Sequence, residues 1–188
     1  MLTGLLPQEH GITRKGLALS PELPFLAERL RAAGYQTIGL YSPGWIHERY
    51  GFGRGFDVFR AHQNATEAGD HLYQALGSLE SERPYFLFLH LFDVHSGPFD
   101  EKNKTIYTPP PSYRDYFLPE AVHPLPPLPA EEIWDSQGVL TAEQIKTLVA
   151  YYDGGIRHID AKLEEWLGEI EREGWLSNAL VIVTADHC

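Results

Sequence analysis

Ala179-Leu180-Val181-Ile182-Val183-Thr184-Ala185-Asp186-His187-Cys188 decides how the rest of the chain is read. A short, wholly apolar run rich in β-branched residues predicts a buried strand. It closes on a carboxylate beside an imidazole. Ligands of open α/β sheets bind outside the carboxyl ends of the strands. Asp186 and His187 therefore stand where metal or substrate chemistry is done.

Working outward, the periodicity ahead of this run predicts one long helix. Thr141-Ala142-Glu143-Gln144 is a capping box, and Ile145, Leu148, Val149, Tyr152, Ile156, Ile159, Leu163, Trp166, Leu167 and Ile170 step by three or four until Gly174. Gly154-Gly155 weakens the middle by about 1 kcal/mol per glycine relative to alanine, which predicts a kink or a close contact there. Nearer the start, Phe25–Ala33 predicts a helix with Pro24 in its first turn and Gly34 just past its end. A strand over Tyr35–Tyr41 follows, then a glycine–aromatic loop, Tyr50–Asp57, and a helix from about Ala65 to Glu80. Pro84 precedes a second buried strand, Tyr85–Phe92, which ends in Asp93-Val94-His95. Alternating helices and apolar strands predict an α/β fold: a mostly parallel sheet sandwiched by helices, with the strands near residues 36, 85 and 179 as neighbours. A Pro-rich excursion runs from about Ser96 to Gly138. Residues 1–188 show no internal repeat and no break between domains.

Composition bounds the function. With 15 Lys+Arg against 26 Asp+Glu the formal net charge is −11, which argues against a nucleic-acid backbone or an anionic membrane as partner. The single cysteine, Cys188, excludes an internal disulfide framework and a cysteine-built zinc site. No apolar run approaches the ~20 residues that span a bilayer.

Two strands thus end in metal-competent residues, Asp93-Val94-His95 and Asp186-His187. Carboxylate oxygen with imidazole nitrogen suits a hard or borderline divalent ion. Other chemistry-bearing residues have structural readings. His90, within its strand, reads as a core histidine and Arg54, in its glycine loop, as a structural ion pair. Asp153 and Asp160 read as salt-bridge partners, and the tyrosines and Trp134 of the Pro-rich excursion as packing.

Five segments in order resemble the catalytic domain of sulfatases in the alkaline-phosphatase-like superfamily: Leu2–Gly11, Leu26–Thr37, Gly51–Asp57, Leu89–Phe99, and Tyr152–Asp160 leading into Leu180–His187. The resemblance covers nearly the whole chain and implies an alkaline-phosphatase-like fold, present incompletely as one partial catalytic domain. It also implies hydrolysis of sulfate esters, on a small molecule or a glycan, with a divalent metal ion. Calcium is the expected ion, with manganese or zinc as alternatives. Carried over by position, Asp186 and His187 would be metal ligands, His95 would bind the ester or protonate its leaving oxygen, and His47 would bind substrate. The family nucleophile, a formylglycine made within Cys/Ser-x-Pro-x-Arg, has no counterpart here, nor has the strand bearing the paired aspartates. Both are expected ahead of Met1.

The chain accordingly reads as an internal piece of a longer enzyme, without turnover and with at best weak metal affinity on its own. Cys188 replaces a usual glycine but lacks the Pro and Arg that would make it a nucleophile. Many sulfatases have Gly-Lys-Trp-His where this chain has Gly44-Trp45-Ile46-His47; the missing lysine keeps open a phosphoric mono- or diester hydrolase or a phosphoethanolamine transferase of the same superfamily. A binuclear metallophosphoesterase would need a Gly-Asn-His-Asp/Glu segment, which is absent. A non-catalytic binding module on a decayed hydrolase scaffold is the alternative of another class.

Overall fold

A computed structural model describes residues 2–14, 16–96, 107–118 and 140–185. The chain divides into two compact units, Met1–Phe92 and Asp93–Cys188.

The first unit is built on a parallel sheet. Helix α1 (Pro7–His10) is a single turn, and α2 (Leu26–Ala32) leads through Gly34, at φ +92°, into β1 (Gln36–Tyr41). Phe25 caps α2, so Pro24 lies just outside the helix rather than in its first turn. A 3-10 turn (Glu48–Tyr50) precedes β2 (Val58–Ala61), α3 (Ala65–Gly77) and β3 (Tyr85–His90). The strand order is β2-β1-β3, and both pairings are parallel. The strands near residues 36 and 85 are neighbours as predicted, and their register sets Gln36 opposite Tyr85 and Tyr41 opposite His90. All six residues of β1 are buried, as a central strand requires.

One sheet face is aromatic. Phe25 and Ala27 join Phe56, with Phe59, Phe86 and Phe88 packed against them. Gly39 lets this happen: a Cβ there would stand 2.6 Å from the Phe59 ring. Gly55, at φ +73°, lies so close to the backbone of α2 that a Cβ would strike Glu28 N. The loop after it is tied to β1 through Asp57, whose carboxylate accepts from Thr37 N (3.0 Å) and faces Arg31 at 2.8 Å. Partial burial pushes the Asp57 carboxyl up; the two hydrogen bonds from Thr37 and the Arg31 charge outweigh it, leaving the group below the ordinary carboxylate range. Helix α3 begins where Asn64 Oδ1 accepts from Glu67 N and buries Ala65, Ala68, Leu72, Ala75 and Leu76.

The second unit contains α4 (Pro111–Arg114), a 3-10 turn (Asp115–Phe117) and the long helix α5 (Ala142–Arg172). The capping box forms: Gln144 N donates to Thr141 Oγ1 and Thr141 N to Gln144 Oε1. The buried face of α5 departs from the predicted stripe. Ile145, Val149 and Ile156 are exposed, while Thr147, Ala150, Tyr151, Gly154 and Gly155 are buried. The cause is the glycine pair. A Cβ on Gly154 would lie 2.6 Å from the carbonyl oxygen of Tyr113, so the helix is seated there by backbone approach rather than by its apolar side chains. The expected close contact is present, and helix α5 runs unbroken through it.

The last predicted strand is not one. Residues 179–185 form no strand, and Leu180 and Ile182 are 86% and 74% exposed. Apolar β-branched composition measures fitness for a pleated surface, not the presence of a ladder partner. Among the described residues no strand supplies that partner. Residues 97–106 and 119–138 of the Pro-rich excursion, with Trp134, and Asp186, His187 and Cys188 lie outside the described residues.

Candidate active site

In a parallel sheet the carboxyl ends of the strands gather on one edge, where the chain leaves each strand with side chains no ladder consumes. Here that edge is made by Tyr41 at the end of β1 with Ser42 after it, Ala61 at the end of β2 with His62 after it, and His90 at the end of β3. Ser42 and His62 are buried, the latter at 0% exposure. His62 N extends the ladder to Tyr41 O at 2.9 Å, and Ser42 N does the same to His90 O at 3.1 Å. The imidazole Nε2 of His62 lies 3.0 Å from His90 O. A carbonyl only accepts, so Nε2 carries the proton and donates. Ser42 Oγ in turn accepts from Phe92 N at 3.2 Å.

His90, read from sequence as a core histidine, is half-buried; its ring stacks on Phe88 at a centroid distance of 6.4 Å and lies tilted to Phe92 at 5.0 Å. His47 lies in the loop after β1. Its Nδ1 accepts from Arg49 N at 3.2 Å, capping the 3-10 turn, and its ring meets Tyr41 and Tyr50 edge-on. With Nδ1 committed as acceptor, neutral His47 carries its proton on Nε2, which makes that nitrogen a donor. Burial, with Glu48 adding to it, raises the Tyr41 phenol, so Tyr41 stays neutral beside this histidine.

In the second unit, Asp93 and His95 are half-buried. Asp93 O and Val94 Cα are the nearest atoms to the Cβ position of Gly155, at 3.7 and 3.8 Å. Two turns of α5 from Asp153, on the same face, Asp160 lines a surface groove with Phe117, Ile156 and Arg157. The next residue along from Arg157, His158, packs its ring on Tyr113 at 5.0 Å. Burial pushes the His158 imidazole below its usual range; Asp93 opposes that and Lys162 reinforces it. Arg54 is structural as expected. Its guanidinium donates to the carbonyls of Ser20, Pro21 and Leu23, lies over the Phe25 ring and faces Glu28 at 3.8 Å.

Of the four residues singled out from sequence, the structure describes His47 and His95, one in each unit. Asp186 and His187 lie outside the described residues. Among the described residues no group of three or more His, Cys, Asp or Glu could hold a metal ion, and none of their helices is long and apolar enough to cross a membrane. Sequence reading missed His62 and Ser42. Asn64-Ala65-Thr66-Glu67 signals a helix start, and Val58–Ala61 ahead of it has the length of a short strand. Together they place His62 at a strand's carboxyl end.

The family sequence model described as Sulfatase matches residues 1–188. No curated protein matches this chain. Among solved structures, that of BT4656 in complex with its substrate D-glucosamine-2-N,6-O-disulfate resembles it with a TM-score of 0.58 at 16% identity. The match covers 94% of this chain and 52% of BT4656, so the chain spans about half the length of that protein.

Proposed function

This chain belongs to the sulfatase family, and from that membership we propose that it forms part of a metal-dependent hydrolase of sulfate esters. The observation that carries the proposal is the family match over all 188 residues. The parallel sheet agrees with it, because β3 delivers the chain directly into Asp93-Val94-His95. BT4656, whose fold this chain shares, was solved with a sulfated glucosamine. That supports a sulfated sugar as the substrate class.

His95 supplies a proton to the departing alcohol oxygen or holds the ester, work for which an imidazole is suited near neutral pH. His47 Nε2–H donates to a sulfate oxygen. Asp186 and His187 would hold a divalent cation together with further donors, calcium before manganese or zinc; when bound it offsets charge on the transferring group. That offset matters in a chain of net charge −11, whose field opposes an anionic substrate. The attacking group would be a formylglycine from a Cys/Ser-x-Pro-x-Arg motif, which these 188 residues do not contain. The isolated segment therefore has no turnover.

The absence of lysine from Gly44-Trp45-Ile46-His47 favours one second reading, a phosphoric ester hydrolase or phosphoethanolamine transferase on the same scaffold. The full-length protein separates the two. It is stripped with chelator, resupplied with calcium, manganese or zinc, and assayed on an aryl sulfate and the matching aryl phosphate. Metal-restored turnover at least tenfold faster on the sulfate is expected. Preference for the phosphate supports the second reading, and turnover of neither contradicts the enzyme reading.

A further inference from the structure

β2 and β3 are not neighbours. With β1 between them, they stand two strand spacings apart, about 9.6 Å. Nevertheless one side chain joins their ends: His62, which follows β2, reaches past Ser42 to the carbonyl of His90, the last residue of β3. This carbonyl has two lone pairs. Ser42 N–H donates to it at 3.1 Å, His62 Nε2–H at 3.0 Å and Ser42 Oγ–H at 3.4 Å, so the imidazole makes the shortest of the three bonds. Ser42 Oγ also accepts from Phe92 N–H, two residues further along the chain, at 3.2 Å. The polypeptide leaving β3 is therefore fixed at His90 and at Phe92, three residues before His95. A fully buried imidazole is a costly way to fill space, since each polar atom must be satisfied. A phenylalanine would fill the volume but would remove the 3.0 Å bond that ties the end of β2 to the His90 carbonyl.

We propose that His62 is a positioning residue for the reaction: its Nε2–H, with Ser42, sets the point and direction from which the chain departs towards His95. The proposal rests on the reading of His95 as the acting histidine, but the clamp is measurable without it. Misplacing a catalytic group by 1 Å can cost about 100-fold in rate. The mutations are His62→Phe, which removes the donor, and His62→Gln, whose Nε2–H can replace it. Both are made in the full-length enzyme beside His95→Ala. Two quantities are read: kcat and KM on an aryl sulfate, and the hydrogen-exchange rate of the Phe92 amide.

His62→Phe is expected to lower kcat at least tenfold with KM within threefold, and to speed Phe92 exchange at least tenfold. His62→Gln is expected to restore both to within threefold of the wild type. Native kcat and native exchange in His62→Phe overturn the proposal. So does a His62→Gln variant as impaired as His62→Phe while still folded. Should His62→Phe fail to fold, the His62→Gln and wild-type comparison decides, because loss of kcat with Phe92 exchange unchanged contradicts a clamp. If His95→Ala retains wild-type turnover, the reading of His95 fails, and Phe92 exchange alone then decides whether His62 holds the strand end.

Discussion

Two adjacent glycines on one helix make opposite demands, and replacing each with alanine measures how α5 is seated. On propensity alone Gly154→Ala and Gly155→Ala are equivalent, each favouring the helix by about 1 kcal/mol. The surroundings separate them. At Gly155 the nearest atoms to a Cβ are Asp93 O at 3.7 Å and Val94 Cα at 3.8 Å, ordinary contact distances. The propensity gain survives, and Gly155→Ala is expected to be stabilised by roughly 0.5–1 kcal/mol. At Gly154 the Cβ would meet Tyr113 O at 2.6 Å, Tyr113 C at 3.0 Å and Arg114 Cα at 3.1 Å. These are backbone atoms of α4 and cannot swing aside as a side-chain tip would. Overpacking of this kind costs about 1–3 kcal/mol, and backbone against backbone belongs at the upper end. After the propensity gain, a net loss of about 1–2 kcal/mol remains, so the variants should differ by about 2–3 kcal/mol. For a chain of this length that is roughly 4–12 °C in melting temperature. Thermal and urea unfolding followed by circular dichroism supply the comparison. A Gly154→Ala protein as stable as Gly155→Ala refutes the close seating of α5 on residues 113–114.

Gly55→Ala meets both a left-handed backbone and the main chain of α2; strain of about 1–3 kcal/mol and overpacking of similar size give an expected loss of about 2–6 kcal/mol in urea unfolding. Asp57 titrates below the ordinary carboxylate range when folded, so the unfolded chain binds the proton first; its contribution is present at neutral pH and is lost as pH falls through the depressed value. Asp57→Asn should flatten that part of the acid-unfolding curve, and an unchanged curve would count against the Thr37–Asp57–Arg31 link. His158, pushed low by burial, is neutral in the folded state at pH 7, so its contribution to stability is likewise lost as pH falls from the usual imidazole range. Removing the opposing charge with Asp93→Asn should lower the His158 midpoint further in an NMR titration, and Lys162→Met should raise it.

Much of the first unit could be read from the chain because local signals and tertiary demands agree there. β3 is an apolar run from Tyr85 to Leu89 after Pro84, β1 carries Ile38, Leu40 and Tyr41 between Gly34 and Ser42, and the two pair as expected. Thr141–Gln144 fixed the start of α5 because a capping box satisfies its own orphan donors and depends on nothing distant. Where the outcome depended on a partner, sequence pattern misled. Val181 and Ile182 have strand composition but no ladder among the described residues. Ile145 and Val149 have helix-face spacing but are exposed, because Gly154 and Gly155 rather than the bulky residues meet a neighbour. Family resemblance is what pointed to His47 and His95 as candidates. His62 escaped notice because its role is a side-chain bond to a strand that is neither adjacent in sequence nor its neighbour in the sheet.

On the proposed function, His95, Asp186 and His187, from separate segments of this chain, serve one sulfate-ester site. The most direct measurement is kcat/KM on an aryl sulfate for the full-length enzyme carrying His95→Ala, Asp186→Ala or His187→Ala, each checked for native folding. Each variant is expected to lose at least 100-fold, the lower end of what general acid catalysis contributes, and the Asp186 and His187 variants should also need more calcium for half-maximal rate. Wild-type turnover in folded His95→Ala, or an unaltered calcium requirement in both of the other variants, would contradict the claim.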